Sequence, residues 1–279
     1  EEIPPNNKTT VVADTTITLQ PMDWGDIGFK FAKTIVGTVK YHRELEGEGL
    51  NYKRDLIVWL PPSYEKDAAK RYPVLYMHDG QNIIDPATSF IGYDWRVDEV
   101  ADSLIRSGKM REIIVVGIYN SPDRDNEYDD TKLGRVYMKF IVERIKPMID
   151  STYRTMPGRE NTSVMGSSMG GLISFLVVWN YPDIFSQAGC GSPLFRESLT
   201  RNVESYSGPD KKIRIYMDNG GVGLETRLQP GCENILSALQ KIGFRMNVNL
   251  QWFNDKEAEH NERAWSKRVW RPLIFMYGQ

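Results

Sequence analysis

The segment from Asn161 to Asn180 constrains this chain most, because its residues fit a short strand, a tight turn and an apolar helix. In the turn, Gly166, Ser168 and Gly170 match the pattern G-x-S-x-G. In that pattern the serine takes a strained backbone conformation, and the small flanking residues let strand and helix approach closely. The hydroxyl then lies at a helix N-terminus, where the helix dipole and free N–H groups favour a developing negative charge. The segment therefore predicts that Ser168 is the nucleophile of an acyl transfer.

The rest of the chain predicts an α/β fold. Strand-like and helix-like segments alternate from about residue 53 onward, after two segments, 35–42 and 52–60, that fit antiparallel strands. Apolar runs of strand length indicate parallel strands covered by helices, so we expect a mainly parallel central sheet with helices on both faces. Because the 279 residues contain no linker-like or repetitive run, residues 1–279 are predicted to form a single domain. Residues 1–34 would be an irregular extension or an edge strand near Thr15–Leu19.

Apolar periodicity also gives bounds for the individual elements. The predicted strands are 72–77, 112–118, 184–190, 212–217 and 246–253, and the predicted helices are 97–107, 136–149, 230–242 and 261–276. Between two of these elements, residues 119–130 are strongly polar. Their acidic residues do not have EF-hand spacing, so the segment is interpreted as a solvated loop rather than a calcium site.

The charge distribution argues against nucleic acid and membrane partners. The formal net charge is −2 with Lys and Arg scattered along the chain, so no basic footprint for nucleic acid and no polybasic membrane patch is visible. The mean hydropathy is −0.45, and no apolar run approaches the length of a membrane span. We expect a neutral or mildly charged substrate. Because the N-terminus lacks an initiator Met, we also expect a secreted or periplasmic protein of bacterial type whose signal segment is absent.

Two cysteines, Cys190 and Cys232, leave the redox compartment open. No C-x-x-C pattern and no nearby histidine accompany them, so neither zinc nor thioredoxin-type chemistry is indicated. Either a disulfide or two buried free thiols fits the sequence.

A loop that follows a buried strand is a candidate for binding an oxyanion. The strand Tyr72–Met77 runs into the sequence His-Asp-Gly-Gln-Asn at positions 78–82. Ligands of doubly wound sheets bind at the C-terminal ends of such strands. Gly80 lets the backbone turn, so that the N–H of Gln81 faces inward. The alternative is a plain turn in which Asp79 bonds to nearby backbone N–H groups.

A serine hydroxyl needs a base, and the chain has three histidines. His42 lies on an outer strand among charged neighbours and is interpreted as a surface residue. His78 precedes the tight turn. His260 follows the last predicted strand, at the same sheet edge as Ser168. We therefore expect His260 to be the general base.

The orienting acid has two main candidates in the chain order Ser, Asp/Glu, His. Asp218 ends a predicted strand, whereas Glu225 lies in the loop before the next predicted helix. A loop position suits a carboxylate that must reach across to the histidine, so Glu225 is favoured and Asp218 is the alternative. Asp255 and Glu257, in the histidine's own loop, are more distant choices.

Four motifs in this order together resemble the putative esterase family of α/β-hydrolases, which includes feruloyl and acetyl xylan esterases, enterochelin esterase and the mycolyltransferases. The resemblance covers about residues 50–279 and rests on the segments 77–82, 166–171, 218–225 and 260–265. It implies an α/β-hydrolase fold with Ser168 as nucleophile and His260 as base. It also implies that the backbone N–H groups of Gln81 and Met169 form the oxyanion hole.

The resemblance also bears on the acid and on the substrate. In the mycolyltransferases the acid lies just before a helix, as Glu225 does, but the long segment Asn219–Leu224 departs from many relatives and keeps Asp218 as an alternative. The family implies a serine carboxylesterase without a metal or organic cofactor. Its expected substrate is a small-molecule or oligosaccharide ester, such as a feruloyl or acetyl group on plant cell-wall carbohydrate.

Aromatic residues near the predicted sheet edge are candidates for substrate binding. They are Trp95, Tyr119 and Tyr128, although buried packing fits Trp95 equally well. An acyltransferase, a peptidase or a thioesterase would use the same triad. A catalytically silent hydrolase fold that binds carbohydrate is the alternative from another class.

Overall fold

The structure is a computed structural model that describes residues 9–12, 15–18 and 34–279. It contains two compact units, Glu1–Thr34 and Ile35–Gln279. In the first unit, β1 (Thr9–Val12) and β2 (Thr15–Thr18) form a two-stranded antiparallel sheet. The strand predicted near Thr15–Leu19 is thus present over Thr15–Thr18, whereas Leu19 lies outside the described residues. The prediction of one domain for residues 1–279 stays a prediction.

The second unit is built on a sheet of eight strands among the described residues, in the order β10-β9-β8-β7-β5-β6-β4-β3. The strands are β3 (Thr38–Leu45), β4 (Arg54–Leu60), β5 (Val74–His78), β6 (Ile114–Ile118), β7 (Thr162–Ser167), β8 (Gln187–Gly191), β9 (Arg214–Gly220) and β10 (Leu250–Asp255). Strand β4 pairs antiparallel with both β3 and β6, and the remaining neighbours pair in parallel. This confirms the predicted α/β class with a mainly parallel sheet.

Helices connect the strands. They are α1 (Val97–Arg106), α2 (Arg124–Glu127), α3 (Lys132–Phe140), α4 (Lys146–Thr152), α5 (Met169–Asn180), α6 (Glu197–Glu204), α7 (Leu224–Lys241), α8 (Glu262–Arg268) and α9 (Trp270–Tyr277). A widened turn, Ile141–Ile145, joins α3 to α4 and makes one long helical segment of them. Pro147, which lacks an N–H, is accommodated directly after this turn.

The side chains of β4 show that helices cover both faces of the sheet. Because successive residues of a strand point to opposite faces, Leu56 and Val58 belong to one buried apolar cluster while Ile57 and Trp59 belong to another. The first cluster is completed by α3, α5, α6 and α7, and the second by α1, α8 and α9. Within the described part of the chain, no helix is long and apolar enough to cross a membrane.

Two element bounds differ from the sequence prediction and change the setting of the candidate acids. Helix α7 begins at Leu224 rather than at Pro230, so Glu225 lies in its first turn and not in a loop. Proline is common in the first turn of a helix, which is why the sequence predicts a start at Pro230. In the structure, Pro230 lies inside the helix. Strand β9 extends to Gly220, so Asp218 lies within the strand instead of after it.

Residues 119–130 are only in part the solvated loop that the sequence predicts, because Pro122, Asp125, Asn126 and Asp130 are exposed but other residues are not. The segment contains α2, whose last residue Glu127 is fully buried and forms an ion pair with the fully buried Arg54. The next residue, Tyr128, is also fully buried. A charged side chain can be buried when an opposite charge pairs with it. The partner here, Arg54, is distant in the sequence, so the local pattern does not indicate burial.

Two predicted strands begin later than expected because turns precede them. Residues 181–185 form a turn before β8, and residues 245–249 form one before β10. Cys190 and Cys232 are both buried and free, so the structure contains two thiols and not the alternative disulfide.

Candidate active site

Ser168 lies between β7 and α5 in the turn predicted from the G-x-S-x-G pattern. Its φ is 55° and its ψ is −122°, a conformation that costs a non-glycine residue free energy. The Ser168 N–H donates to Gly191 O at 2.9 Å, which fixes the turn against the end of β8. A Cβ atom at Gly166 would lie 2.6 Å from Gly170 O, so glycine is needed where strand and helix meet. The strained turn therefore presents the Ser168 side chain at the N-terminus of α5.

Ser168 opens into a cavity of about 590 Å³ at the C-terminal edge of the sheet. The cavity brings together Ser168, His260 and Gln81, which the sequence predicted for one site. Its other lining residues are Asp79, Asn82, Thr88, Phe90, Ile91, Asn120, Arg124, Ser167, Asn261, Glu262 and Trp265. The candidate nucleophile, the candidate base and one candidate oxyanion-hole residue thus line the same cavity.

Glu225 is the carboxylate beside His260. His260 Nδ1 lies 3.3 Å from Glu225 Oε1, and Glu225 is fully buried. The two loops are held together because the N–H groups of Gly221 and Val222 both donate to Ala258 O at 3.1 Å. Burial raises the pKa of Glu225, but its contacts with His260, the Ser192 hydroxyl and the Gly220 N–H outweigh this, so its pKa is below the usual value. Glu225 is therefore a buried carboxylate that can stabilise a protonated imidazole.

Asp218, the alternative acid, has a different partner. Its Oδ1 accepts from Arg268 Nε at 3.0 Å and its Oδ2 accepts from the Tyr216 hydroxyl at 3.1 Å. Burial raises the pKa of Asp218, although Arg268 and Tyr216 oppose this. The structure thus brings Glu225, and not Asp218, next to His260.

The other two histidines lie away from the cavity. His42 Nε2 is 2.7 Å from the Tyr153 hydroxyl on the outer strand β3. His78 is buried, its Nδ1 is 3.0 Å from the Tyr137 hydroxyl, and burial lowers its pKa to about 3. His78 is therefore neutral at physiological pH and packs in the core.

The two residues predicted to supply oxyanion-hole N–H groups, Gln81 and Met169, both lie in helical turns. Met169 is the first residue of α5, and Gln81 is the middle residue of a single helical turn, Gly80–Asn82. N–H groups in a first helical turn have no acceptor within their own helix. A Cβ atom at Gly80 would lie 2.4 Å from Gly117 C, so only glycine lets this turn rest on β6.

Asp79, which precedes that turn, also binds two neighbouring side chains. It adopts a left-handed φ of 55°, and its carboxylate accepts from Arg124 Nε and Nη2 at 2.7 and 2.8 Å. Asn120 Nδ2 donates to the same carboxylate at 2.7 Å. Although burial lowers the pKa of Arg124, pairing with Asp79 raises it overall. A cation that stays charged is thus held at the cavity wall.

A family model described as putative esterase matches residues 47–276. The chain belongs to the putative esterase family. Two relatives of known sequence are similar to it. The uncharacterized protein YbbA of Bacillus subtilis (strain 168) is 22% identical over 246 residues, which are 81% of this chain and 93% of YbbA. An endo-1,4-beta-xylanase/feruloyl esterase of Xylanibacter ruminicola is 28% identical over 139 residues, which are 47% of this chain and 18% of that protein.

Solved structures of esterases have the same fold. A ferulic acid esterase superposes with a TM-score of 0.71 at 23% identity, covering 86% of this chain and 97% of that one. The enterobactin esterase FES of Shigella flexneri superposes with a TM-score of 0.72 at 15% identity, covering 94% of this chain and 64% of that one. Membership of the putative esterase family and these neighbours support an ester hydrolase with an α/β-hydrolase fold.

The predicted aromatic substrate residues of this esterase are not the ones that line its cavity. Trp95 is buried with its ring centroid 5.3 Å from that of Trp265, and Tyr128 is fully buried against His78. Tyr119 is partly buried and packs against the apolar cluster of α1, α8 and α9. These three side chains pack between strands and helices, so the alternative of buried packing applies to Trp95 and to the other two residues.

The aromatic side chains that do line the cavity are Phe90 and Trp265. Phe90 is 86% exposed. Neither was predicted to contact a substrate, because the segment before α1 has no apolar period and Trp265 fits a helical core pattern. An isolated Phe-Ile pair at positions 90 and 91, in a segment rich in Gly, Ser and Asp, was the available signal.

One acidic group lies apart from this cavity. Among the described residues, Asp94, Asp98 and Glu99 at the start of α1 have carboxylate oxygens within 4.8 Å of one another. Arg96 Nε donates to Glu99 Oε1 at 3.2 Å and Val36 N donates to Asp98 Oδ2 at 2.7 Å. These protein partners satisfy part of the group, and we assign it no metal.

Proposed function

We propose that the protein is a serine carboxylesterase that works through an acyl-enzyme at Ser168. The observation that carries the proposal is the shared cavity of Ser168 and His260, with the buried Glu225 carboxylate 3.3 Å behind the imidazole. A nucleophile and a base in one cavity, with a carboxylate next to the base, are the groups that ester cleavage needs. No step requires a metal or an organic cofactor.

In the proposed reaction, Ser168 Oγ attacks the ester carbonyl while His260 Nε2 accepts the hydroxyl proton. Glu225 stabilises the imidazolium that forms, and the N–H groups of Gln81 and Met169 stabilise the tetrahedral oxyanion. The alcohol then leaves with the proton from His260. Water attacks the acyl-enzyme in the same way, which releases the acid and restores Ser168.

The proposed substrate is an acyl ester of plant cell-wall carbohydrate, with ferulate or acetate as the acyl group. Two relatives named feruloyl or ferulic acid esterase support an aromatic acyl group. The cavity also fits such a substrate, because Phe90 and Trp265 offer apolar contact while Asn120 and Arg124 offer hydrogen bonds. Such a substrate lies outside the cell, so export of the protein belongs to this proposal.

The test compares hydrolysis of p-nitrophenyl acetate and methyl ferulate by the wild type and by Ser168→Ala. We expect loss of nearly all turnover in Ser168→Ala with an unchanged circular dichroism spectrum. Ser163→Ala is the matched control, since Ser163 is fully buried in β7 and is separate from the cavity lining. Equal rates for the wild type and Ser168→Ala would reject the serine mechanism. Preference for an added alcohol over water would identify an acyltransferase, and complete inertness would favour the carbohydrate-binding alternative.

A further inference from the structure

Ser192, which lies directly after β8, has an unusual position and an unusual set of partners. Its φ is 41°, in the left-handed region that non-glycine residues rarely adopt, and it is fully buried. Its hydroxyl oxygen is 2.6 Å from Glu225 Oε1, 2.6 Å from Arg268 Nη2 and 3.0 Å from Trp265 Nε1. The residue is not part of the described cavity lining, so it does not reach a substrate.

The chemistry of these partners fixes the direction of the Ser192 hydroxyl hydrogen. Indole and guanidinium N–H groups donate and cannot accept, so Trp265 and Arg268 occupy the two lone pairs of Ser192 Oγ. The single hydroxyl hydrogen therefore has one acceptor left, which is Glu225 Oε1. Ser192 is a hydrogen-bond donor aimed at the same carboxylate oxygen that contacts His260.

Asp218, rather than Glu225, is the direct ion-pair partner of Arg268. Arg268 Nε donates to Asp218 Oδ1 at 3.0 Å, while Arg268 Nη2 is 3.6 Å from Glu225 Oε1. The guanidinium is thus paired with Asp218 and reaches Glu225 mainly through Ser192. Because Asp218 is the direct partner of Arg268, the Glu225 carboxylate is left to face His260.

Helix α8 carries two of the partners of Ser192 and begins directly after His260. His260 lies just before the helix, and Trp265 and Arg268 are three residues apart on one helical face. The Trp265 ring also packs edge-on against the His260 ring, with centroids 5.0 Å apart. One short helix therefore contacts the imidazole and, through Ser192, the carboxylate behind it.

We propose that Ser192 is a positioning residue, held by Arg268 and Trp265, that fixes the Glu225 carboxylate in the orientation that serves His260. Asp218 acts within the same arrangement as the counter-ion of Arg268. The inference rests on the proposed serine mechanism and adds to it a residue outside the triad.

The first test is the steady-state kinetics of Ser192→Ala and Ser192→Gly on p-nitrophenyl acetate. Glycine suits the left-handed backbone, so Ser192→Gly tests the loss of the hydroxyl even if Ser192→Ala does not fold. We expect kcat to fall by about 10-fold to 100-fold, as for loss of one hydrogen bond to a charged group, with KM unchanged. Ser163→Ala, another fully buried serine, should keep its kcat. An unchanged kcat in folded Ser192→Gly, or an equal fall in Ser163→Ala, would overturn the proposal.

The second test asks whether Ser192 acts through Glu225. We compare the single-turnover rate of Glu225→Ala with that of the double variant that also carries Ser192→Gly. With the carboxylate gone there is nothing for Ser192 to position, so the two rates should agree within about twofold. A further fall of the size seen in the wild-type background would show a merely structural role and refute the inference.

These outcomes are separable from failure of the proposed function. Turnover by the wild type and its loss in Ser168→Ala are measured first, and their absence would reject the serine mechanism itself. An active wild type with unaltered Ser192 variants would reject only the positioning role.

Discussion

His260 Nδ1 lies 3.3 Å from Oε1 of Glu225, a fully buried carboxylate in the first turn of α7. The contact joins the segments that follow two neighbouring parallel strands, the start of α7 after β9 and the loop after β10. If His260 is the general base, as we propose, a carboxylate in this place would favour the tautomer whose Nε2 is free to accept a proton.

Replacing the two candidate acids should separate their roles. Glu225→Gln should lower kcat on the order of 10³-fold to 10⁴-fold, as loss of an orienting carboxylate does elsewhere. Asp218→Asn should instead have the larger effect on stability, because it leaves the buried Arg268 without its carboxylate, at a cost of about 3 kcal/mol or more. Kinetics and urea denaturation of both variants check this, and the reverse ranking of the kcat losses would make Asp218 the acid.

The buried pair of Arg54 and Glu127 should matter for stability. Because both side chains are fully buried, Glu127→Gln should lower the free energy of unfolding by about 3–5 kcal/mol. Glu197→Gln is the control, since the Arg201–Glu197 pair is 63% and 78% exposed and should contribute less than about 1 kcal/mol. Urea denaturation measures both, and similar losses would contradict the burial argument.

His78 should make stability depend on pH. Its pKa is lowered by burial from 6.5 to about 3, so between these values the unfolded chain binds a proton that the folded protein does not. The resulting stability is complete above pH 6.5 and is lost progressively as the pH falls toward 3.

The variant His78→Gln tests this pH dependence by urea denaturation. At pH 7.5 it should be less stable than the wild type, because the contact with Tyr137 is lost. At pH 4.5 the difference should shrink or reverse, since glutamine does not titrate. A difference that is constant with pH would show that folding does not shift the pKa of His78.

Gly80→Ala should damage the oxyanion hole. A Cβ atom there would lie 2.4 Å from Gly117 C, so the turn that carries the Gln81 N–H must move. We expect kcat to fall by about 10²-fold or more, the usual effect of losing one oxyanion donor. Gly108→Asn is the control, because asparagine tolerates the left-handed φ of 69° at this position and an added Cβ meets nothing within 4 Å. Steady-state kinetics with p-nitrophenyl acetate compare the two, and a kcat preserved in folded Gly80→Ala would place the oxyanion hole elsewhere.

Phe90→Ala should affect aromatic substrates selectively. Phe90 is 86% exposed, so its loss should change stability by less than about 0.5 kcal/mol. The KM for methyl ferulate should rise by about 10-fold while that for p-nitrophenyl acetate changes little, because only the larger acyl group reaches the cavity rim. Trp270→Ala, another exposed aromatic away from the cavity lining, is the control. Equal changes for both esters would argue against an aromatic acyl site at Phe90.

Structural features that depend on a local sequence pattern can be predicted from this sequence. The turn at Ser168 is specified by Gly166 and Gly170, and the position of His260 follows from the order of strands, so the sequence alone predicts both. The sequence places Glu225 in a loop, because Pro230 suggests a helix start six residues after the true first residue of α7. Contacts such as Arg54 with Glu127, or Ser192 with Trp265, join residues 73 positions apart. Packing of the whole domain creates them, and no local pattern marks them.

Strand β10 lies at one end of the eight-stranded sheet, whereas β7, which leads to Ser168, lies between β5 and β8. His260 therefore follows a strand with one hydrogen-bonded neighbour, whereas Ser168 follows a strand with two. Partial opening at the β10 end would separate His260 from Ser168 while the serine turn stays folded. Hydrogen exchange should accordingly be faster in β10 than in β7, and mild denaturant should inactivate the enzyme before the core unfolds.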